Sequence, residues 1–298
     1  MSLTTKTTDA QTEQQAAARR YWSAHPISTD SVPYPPGSRE SFEAIYKRWK
    51  ATEDDARRQF LASCRGLQVL EVGCGIGKDA RYLCENGVDY YGLDYSFRSV
   101  RLAHDHLAFA GLASRLLNAD ASLLPFPDGN FALAFSIGVL HHIENVPAGC
   151  RELLRVLRPG GTLRVMFYNR HSYHYALVAW LVCPLVWLLL HLPFLRPLLR
   201  LAPNKLRYLY AIAKQYGFSR QRVLATSADT SLAKDDGFVR KTSFLTETEL
   251  RELFAGAVDL RFSRSDLKYF PLPFLRRFVE KRWGFFLTMT ARMPEQSK

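Results

Sequence analysis

The chain has 298 residues and a formal net charge of +12 at neutral pH. Hydrophobic residues make up 47% and charged residues 23%, which is the composition of a globular protein and excludes a disordered or fibrous chain. The five cysteines are odd in number and contain no CxxC pair. They favour reduced thiols in a cytoplasmic protein over a disulfide framework.

The N-terminal region predicts a tail followed by helices. Residues 1–18 are rich in Thr, Gln and Ala and lack the apolar core of a signal peptide, so they predict a disordered tail. Residues 19–63 predict an N-terminal helical lid. Within it, Tyr21, Trp22 and His25 are candidate substrate contacts, and the alternative is surface packing of an amphipathic helix.

From residue 64 onward, strands and helices alternate. Five short apolar runs predict strands, at residues 68–72, 88–94, 115–121, 132–138 and 162–168. Alternation at this spacing predicts an α/β three-layer sandwich, with a parallel sheet between two layers of helices. Two later apolar runs, 258–265 and 284–292, are expected to complete the sheet as a last pair of strands.

Three glycines follow the first strand in the stretch VLEVGCGIG, at Gly73, Gly75 and Gly77. Glycine lets a ligand approach the backbone closely and adopts positive φ without strain. A helix begins just after the turn, so its free N–H groups would face that ligand. Asp94 ends the next strand, where a carboxylate can accept both hydroxyls of a ribose. These features predict a nucleoside site at the carboxyl edge of the sheet.

The spacing of the glycines argues against a dinucleotide. The fingerprint GxGxxG would place its third glycine at position 78, where this chain has Lys78 and its glycine stands at position 77. An NAD-dependent oxidoreductase therefore remains only as an alternative function. No HxxxH or paired-cysteine spacing occurs, so no metal site is expected.

Four stretches in chain order resemble the successive motifs of the class I S-adenosylmethionine-dependent methyltransferases: VLEVGCGIG, YGLD, NADASLLPFPDGNFALAFSIGVLHHIEN and RVLRPGG. The resemblance covers about residues 65–170 at motif level and 244–292 at the level of pattern. It implies S-adenosylmethionine as cofactor and in-line transfer of its methyl group. It also implies a seven-stranded, mostly parallel sheet whose last strand is antiparallel.

The resemblance further implies roles for individual residues. The methionine moiety would be held, mostly through backbone groups, by Glu71, Gly73, Cys74, Gly75 and Gly77. Asp94 would take the ribose hydroxyls, with Tyr95 packing near the adenine. Asp120 would meet the adenine amino group, with the Ala121 N–H beside it.

Two histidines are the candidate catalytic residues. The resemblance places Ser136 and Ile137 under the sulfonium, with His141 and His142 just beyond. Either histidine could take a proton from a hydroxyl or amine acceptor, because histidine titrates near neutral pH. The alternative is that one ring packs against the cofactor and the other braces the loop.

Residues 171–243 interrupt the alternation after the fifth strand and predict a hydrophobic helical cap or a membrane-associating insertion. The core would then comprise 64–170 and 244–292. Candidate substrate contacts at the end of the fifth strand are Tyr168 and His171. Such insertions lie over the active site in this fold, so a small lipophilic acceptor is expected.

The insertion leaves three interpretations open. Residues 175–195 contain no Asp, Glu, Lys or Arg, and cations follow them. This composition fits a cap that dips into a membrane, a buried soluble cap, or a transmembrane hairpin. Pro184 and Pro193 would break or kink a straight span.

The positive charge is concentrated in the last third of the chain. Residues 1–170 have 20 Lys or Arg and 18 Asp or Glu, a net of +2, whereas residues 171–298 have 20 and 10, a net of +10. Aromatic residues mixed with aliphatic runs favour lipid over nucleic acid as the partner. We expect a cytoplasmic enzyme that contacts the membrane peripherally. An RNA methyltransferase and a non-enzymatic membrane scaffold that binds a nucleoside are competing hypotheses.

Overall fold

The computed structural model of the protein describes residues 18–53, 55–113, 115–228, 242–267 and 273–295. The predicted tail lies outside these residues except for Ala18, which is helical. The chain divides into two compact units. The first unit comprises Met1–Met166, Arg251–Arg261 and Met289–Lys298, and the second comprises Phe167–Leu250 and Phe262–Thr288. This division cuts through three strands, whereas the sequence predicted boundaries at residues 170 and 243.

The strands form one sheet. They are β1 Gln68–Val72, β2 Asp89–Asp94, β3 Leu116–Asn118, β4 Phe131–Ile137, β5 Leu157–Asn169, β6 Phe244–Leu245, β7 Val258–Ser265 and β8 Phe286–Arg292. Their spatial order is β3-β2-β1-β4-β5-β8-β7, and the two-residue β6 pairs with β5 outside this path. The predicted α/β fold, with seven strands in the main path, is confirmed.

The sheet is mostly parallel and its last strand is antiparallel, as expected. Parallel pairs join β1 to β2, β1 to β4, β2 to β3 and β4 to β5. The Asn169 N–H donates to Phe285 O, and the Met293 N–H donates to Gly161 O, each at 2.8 Å. Eight residues backward along β5 correspond to eight residues forward along β8, so these two strands run in opposite directions.

Residues 18–24 are helical, and five further helices accompany the strands among the described residues of the first unit. They are α1 Arg39–Thr52, α2 Asp55–Ser63, α3 Lys78–Glu85, α4 Phe97–Phe109 and α5 Val146–Val156. Side chains cap three of them: Ser38 caps α1, Ser96 caps α4 and Asn145 caps α5, each accepting a backbone N–H of the first turn. β1 and β4 are almost wholly buried, as expected of central strands covered on both faces.

Two strands differ from the sequence prediction by more than two residues at one end. The predicted third strand shortens to Leu116–Asn118. The fifth strand was expected to start at residue 162, after a turn, but β5 begins at Leu157. The register of its pairing with β4 shifts between Phe131 and Leu133, and Gly160 has a φ of +70°. The glycines therefore make an irregularity inside the strand and not a turn before it.

The second unit is largely helical. Its helix α6 runs continuously over Tyr173–His191 and contains a π-helical turn at Val178–Val182. It is followed by a 3₁₀ segment, Pro193–Arg200, and by α7 Asn204–Tyr216 and α8 Arg220–Ala228. Later in the chain come α9 Glu247–Leu253, which crosses the boundary between the units, and α10 Arg276–Trp283.

The two prolines of the apolar run behave differently. The Cys183 N–H donates to Val178 O, five residues back, and this wide turn accommodates Pro184 inside α6. The helix ends at His191, before Pro193. By length and composition alone, α6 is the one helix among the described residues that could cross a membrane, and 33% of its apolar window is buried.

Candidate cofactor site

The three glycines of the loop after β1 all have positive φ angles, and one of them has free space beside its backbone. Gly73 has a φ of +88°, and a Cβ there would lie 2.1 Å from Val139 Cγ2. Gly77 has a φ of +77°, and its Cβ would lie 3.2 Å from Ala103 Cβ. Gly75 has a φ of +53°, and its Cβ would meet nothing within 4 Å. Two of the glycines therefore permit close packing, and the third leaves room for a ligand.

The helix α4 supports the loop from behind. His106 is buried on α4, and its Nδ1 donates to Ile76 O at 2.8 Å. Its ring stacks on Phe42 with a centroid distance of 4.7 Å. Burial lowers the pKa of His106, so the ring stays neutral around pH 7. Sequence reasoning missed this brace, because a lone histidine inside a helix gives no signal of the loop it reaches.

Asp94 connects the end of β2 to the glycine loop. Its Oδ2 accepts the Gly75 N–H and its Oδ1 accepts the Ser96 N–H, both at 2.9 Å. Burial raises the pKa of Asp94, although the two backbone hydrogen bonds partly offset that rise. Each carboxylate oxygen has more than one lone pair. Asp94 therefore retains capacity to accept hydroxyl donors, which suits a ribose diol.

The loop after β3 carries the predicted adenine residues. Asp120 Oδ1 accepts the Ser122 N–H at 2.8 Å and the Ser122 Oγ–H at 2.6 Å. This side-chain turn orders the loop locally. Asp120, Ala121 and Ser122 all line the same cavity as Asp94 and Gly75.

That cavity lies wholly within the first unit and contains about 910 Å³ of empty space, part of it continuous with solvent. Apolar side chains make up much of its wall, including Trp22, Ile27, Leu93, Val139 and Ile143. The cavity is thus polar at the strand ends and apolar over much of its remaining wall.

The cavity brings together six of the predicted cofactor residues: Gly73, Gly75, Asp94, Tyr95, Asp120 and Ala121. Five others do not line it: Glu71, Cys74, Gly77, Ser136 and Ile137. Cys74 is buried, with its N–H donating to Leu93 O at 3.0 Å. The Ser136 hydroxyl donates to Val72 O at 2.9 Å and ties β4 to β1.

Glu71 belongs to a buried polar network within the first unit. The Tyr90 hydroxyl donates to Glu71 Oε2 at 2.6 Å. Burial, together with the neighbouring Asp79 carboxylate, raises the pKa of Glu71 to about 8. Asp79 itself pairs with Arg57. The Glu71 side chain therefore ties β1 to β2 in the interior of the unit.

The two histidines have different environments. His142 lines the cavity, and its ring centroid lies 5.1 Å from that of Trp22. His141 is fully buried, does not line the cavity and packs against His142 at 4.1 Å. Burial first, and the neighbouring His142 second, hold the pKa of His141 well below its usual range. His141 is therefore neutral, and His142 is the histidine that a ligand can reach.

The N-terminal segment, residues 18–27, contributes part of the cavity wall. Trp22 and Ile27 line the cavity, whereas Tyr21 and His25 do not. The His25 Nδ1 donates to Tyr21 O at 3.0 Å, and the two rings lie 4.8 Å apart. Of the three candidate contacts in this segment, only Trp22 faces the cavity.

The candidate contacts at the end of β5 lie in the second unit. Tyr168 is buried, with its ring centroid 4.5 Å from Phe285 and 5.6 Å from Phe244. His171 is exposed, and its N–H donates to Asn169 Oδ1 at 3.0 Å. Neither residue lines the cavity.

Sequence reasoning missed several cavity residues that come just after β4. Gly138, Val139, Ile143, Glu144 and Asn145 line the cavity, whereas Ser136 and Ile137 inside the strand do not. The strand extends to Ile137, so the positions beyond its end face the ligand edge. The glycine at position 138, directly after an apolar run, was the available signal.

Neither metal ligation nor disulfide bonding marks the described part of the chain. Among those residues, no group of three or more His, Cys, Asp or Glu side chains is arranged to hold a metal ion. All five cysteines are described, and each is a free thiol. Four of them are buried and Cys84 is half-buried, so their main contribution is to packing.

Comparison with known proteins finds a family match over part of the chain that contains this site. Residues 70–165 match the family described as "Methyltransferase domain". The chain is 36% identical over 108 residues to 2-methyl-6-phytyl-1,4-hydroquinone methyltransferase of Synechocystis, covering 36% of this chain and 34% of that protein. It is 37% identical over 102 residues to fatty-acid O-methyltransferase of Mycolicibacterium smegmatis, covering 34% of this chain and 36% of that protein. The chain thus spans about a third of the length of these relatives.

A solved structure agrees at the level of the fold. Magnesium protoporphyrin IX methyltransferase of Synechocystis, with bound S-adenosylmethionine, superimposes with a TM-score of 0.50 at 13% identity, covering 94% of this chain and 97% of that one. The fold and the glycine loop with Asp94 match those of a class I S-adenosylmethionine-dependent methyltransferase domain over residues 70–165. The solved structure holds S-adenosylmethionine, and the glycine loop and Asp94 of this chain fit such a cofactor.

Proposed function

We propose that the chain transfers the methyl group of S-adenosylmethionine to a small lipophilic acceptor by in-line displacement. One observation carries this proposal: a single cavity joins Gly75 and Asp94 to the apolar side chains of Trp22, Ile27 and Ile143. The Synechocystis and Mycolicibacterium relatives act, by their names, on a prenylated hydroquinone and on a fatty acid. Their acceptors are lipophilic, which supports the same class of acceptor here.

The residues of the cavity fit the cofactor. S-adenosylmethionine supplies an activated methyl group on its sulfonium. The open face of Gly75 gives a nucleoside room against the backbone, and the Asp94 carboxylate can accept ribose hydroxyls. Asp120 and Ala121 line the same cavity, and we assign them to recognition of the adenine amino group. Positioning of this kind supplies much of the rate in such transfers.

His142 is the residue we propose as proton acceptor. It lines the cavity, whereas the buried and neutral His141 packs against it and limits its rotation. Removal of a proton from an acceptor hydroxyl or amine by such a base is worth about 10²–10⁴ in rate. His141 cannot serve in this way, because its ring has no access to the cavity.

The second unit supports peripheral contact with a membrane. One face of α6, here called the α6 stripe, is exposed and apolar: Trp180, Leu181, Pro184, Trp187 and Leu188. The opposite face packs into the core of the second unit through Val178, Ala179, Cys183, Val186 and Leu189. A helix that is apolar on both faces suits a position in the membrane interface, with the stripe in lipid and the tryptophans at headgroup depth.

This arrangement favours the membrane-dipping cap over the other two interpretations. A spanning helix would have to expose to lipid the face that α6 now buries against Tyr168 and Val223. A purely soluble cap would leave the α6 stripe facing water, with Trp180 77% exposed. We therefore propose a cytoplasmic enzyme that works at a membrane surface.

The proposal is tested with S-adenosylmethionine labelled in its methyl group, lipid extracts and purified protein. His142→Ala should lower methyl transfer about 10²–10⁴-fold and leave the affinity for S-adenosylhomocysteine unchanged. Lys47→Ala, on the exposed surface of α1, is the control and should leave both quantities unchanged. If His142→Ala transferred methyl groups at the wild-type rate, His142 would not be the base. A change in NADH fluorescence on mixing with the protein would instead support the oxidoreductase alternative.

A further inference from the structure

A second exposed surface of mixed aromatic and basic residues lies near the end of the second unit. It comprises the 3₁₀ turn Pro273–Leu275 and the helix α10. Phe274 is 74% exposed and Phe278 is 81% exposed, and Trp283 is also exposed. Arg276, Lys281 and Arg282 are exposed beside them. These six side chains are called the α10 patch.

The patch carries a net positive charge. Residues 273–283 contain four Lys or Arg residues and one acid, Glu280, a net of +3. Glu280 is half-buried. Asp266 is an acidic neighbour of the patch, with its Oδ1 3.8 Å from Arg276, and an exposed pair at that distance neutralises little. The cations of the patch therefore remain available to an anionic partner.

We propose that the α10 patch is a second lipid-contact surface, which recognises the anionic headgroups of a bilayer. Exposed phenylalanine and tryptophan side chains gain by entering the acyl boundary, and neighbouring Lys and Arg bind the headgroups above it. The α6 stripe contains no charged residue, so it cannot distinguish an anionic bilayer from a neutral one. The α10 patch adds that discrimination, together with Arg196 and Arg200, which are exposed beyond the end of α6.

Lipid fits this surface better than nucleic acid. Proteins that bind single strands stack bases on aromatic rings along a basic groove. Here the aromatic rings project from a short helix, in the same unit as the wholly apolar α6 stripe, which offers nothing to a phosphate backbone. One partner that satisfies both surfaces is a bilayer with anionic headgroups. The residues of the α10 patch do not line the cofactor cavity, and we assign them to binding of the bilayer.

Vesicle flotation of the full-length chain tests the proposal, with phosphatidylcholine vesicles compared against vesicles that also contain phosphatidylglycerol. The charge variant Arg276→Glu/Lys281→Glu/Arg282→Glu should bind the anionic vesicles at least about tenfold more weakly, because each Lys or Arg near such a surface contributes attraction. Its binding to neutral vesicles should change by less than about twofold, since no headgroup charge is involved. Added salt should weaken wild-type binding to the anionic vesicles only.

Two further variants make the test specific. Phe274→Ser/Phe278→Ser should weaken binding to both kinds of vesicle, because it removes inserted apolar area. Lys47→Glu/Arg151→Glu, which reverses two exposed cations of the first unit, is the charge control and should bind both kinds of vesicle like the wild type. Affinity for S-adenosylhomocysteine, measured on every variant, shows that the first unit is folded, and far-ultraviolet circular dichroism shows that the helical second unit is folded too.

The outcomes separate this inference from the proposed function. If the charge variant bound anionic vesicles as tightly as the wild type does, the inference would be overturned, whatever the enzyme methylates. If the charge variant bound vesicles like the wild type but no longer shifted RNA in a gel, the patch would be assigned to nucleic acid. Methyl transfer to a detergent-solubilised lipid extract does not need the patch, so its failure would count against the proposed function alone.

Discussion

The helices α5 and α6 bury similar faces and expose different ones. In the first unit, α5 buries Val146, Cys150 and Leu153 and presents Arg151 outward. In the second unit, α6 buries Val186 and Leu189 at comparable spacing, but its outer face is the α6 stripe. Burial of one face is what folding requires of both helices. The composition of the exposed face reflects the surroundings of each helix, and for α6 we propose that these surroundings are lipid.

The same contrast applies to the two candidate functional regions. The cofactor cavity of the first unit is a concave site held by backbone hydrogen bonds to Asp94 and by close packing at Gly73. The proposed lipid-contact surfaces of the second unit are instead defined by exposed apolar side chains. Substitutions should therefore act on cofactor affinity in one region and on membrane partition in the other.

The largest expected effect is that of Asp94→Ala on the cofactor. Loss of two acceptor oxygens should weaken S-adenosylhomocysteine binding about hundredfold or more, since hydrogen bonds to a charged group contribute about 1.5–3 kcal/mol each. Isothermal titration calorimetry measures the effect. Asp89→Ala, at the exposed opposite end of β2, is the matched control and should bind normally. Equal affinity in both variants would show that Asp94 does not hold the cofactor.

Gly73→Ala should be next in size and should act on stability as well as binding. Its Cβ would overlap Val139, and its φ of +88° strains any other residue, for a combined loss of about 3 kcal/mol. Gly87→Ala has a similar φ of +71° and nothing within 4 Å of its Cβ, so it should lose only about 1 kcal/mol. Urea unfolding measures both losses. Adding Val139→Ala to Gly73→Ala should recover only part of the overlap, because Val139 Cβ itself lies 2.8 Å from the added Cβ, and it should recover none of the strain.

The α6 stripe is tested by Trp180→Glu/Trp187→Glu. Two charges in the apolar face should lower vesicle partition at least about tenfold, because each buried aromatic side chain contributes about 1.5–3 kcal/mol. Tyr34→Glu, which alters an exposed aromatic residue of the first unit, is the control. Vesicle flotation is the measurement, and S-adenosylhomocysteine affinity should stay constant. Undiminished flotation of the double variant would show that α6 faces something other than lipid.

A further prediction concerns the pH dependence of stability. The folded state holds the pKa of Glu71 at about 8, against about 4.3 for an unfolded glutamate. Between these values the unfolded chain releases the proton and the folded chain keeps it, so the free energy of unfolding falls as pH rises through this window. Glu71→Gln keeps an acceptor for Tyr90 and should flatten that fall in urea titrations at several pH values. An unchanged slope would mean that Glu71 ionises normally in the folded protein.

The fold and the polar edge of the cavity were predictable from the sequence, because backbone geometry leaves a signature there. Gly73, Gly75 and Asp94 stand at the ends of adjacent strands, and chain order alone puts them at one edge of a parallel sheet. Whether a side chain is buried, and against which partner, leaves no such pattern in the sequence. Glu71 and Ser136 turn inward to Tyr90 and Val72, and no spacing rule predicts these partners.

The acceptor side of the site was harder to predict for a related reason. Trp22 reaches the cavity from a segment about 50 residues before the glycine loop, so its placement depends on tertiary packing. Tyr168 follows a strand end, as a site residue should, yet packs against Phe244 and Phe285 in the second unit. Likewise, the composition of α6 left three interpretations open. Its exposed apolar stripe supports one of them.

Transfer of labelled methyl groups from S-adenosylmethionine to a total cell extract, followed by separation into organic and aqueous phases, tests the central claim most directly. We expect label in the organic phase with the wild type and none with Asp94→Ala. Label confined to the aqueous phase, whether in RNA or in polar metabolites, would contradict a lipophilic acceptor. Absence of transfer from a protein that binds S-adenosylhomocysteine tightly would contradict the enzyme itself and favour a scaffold.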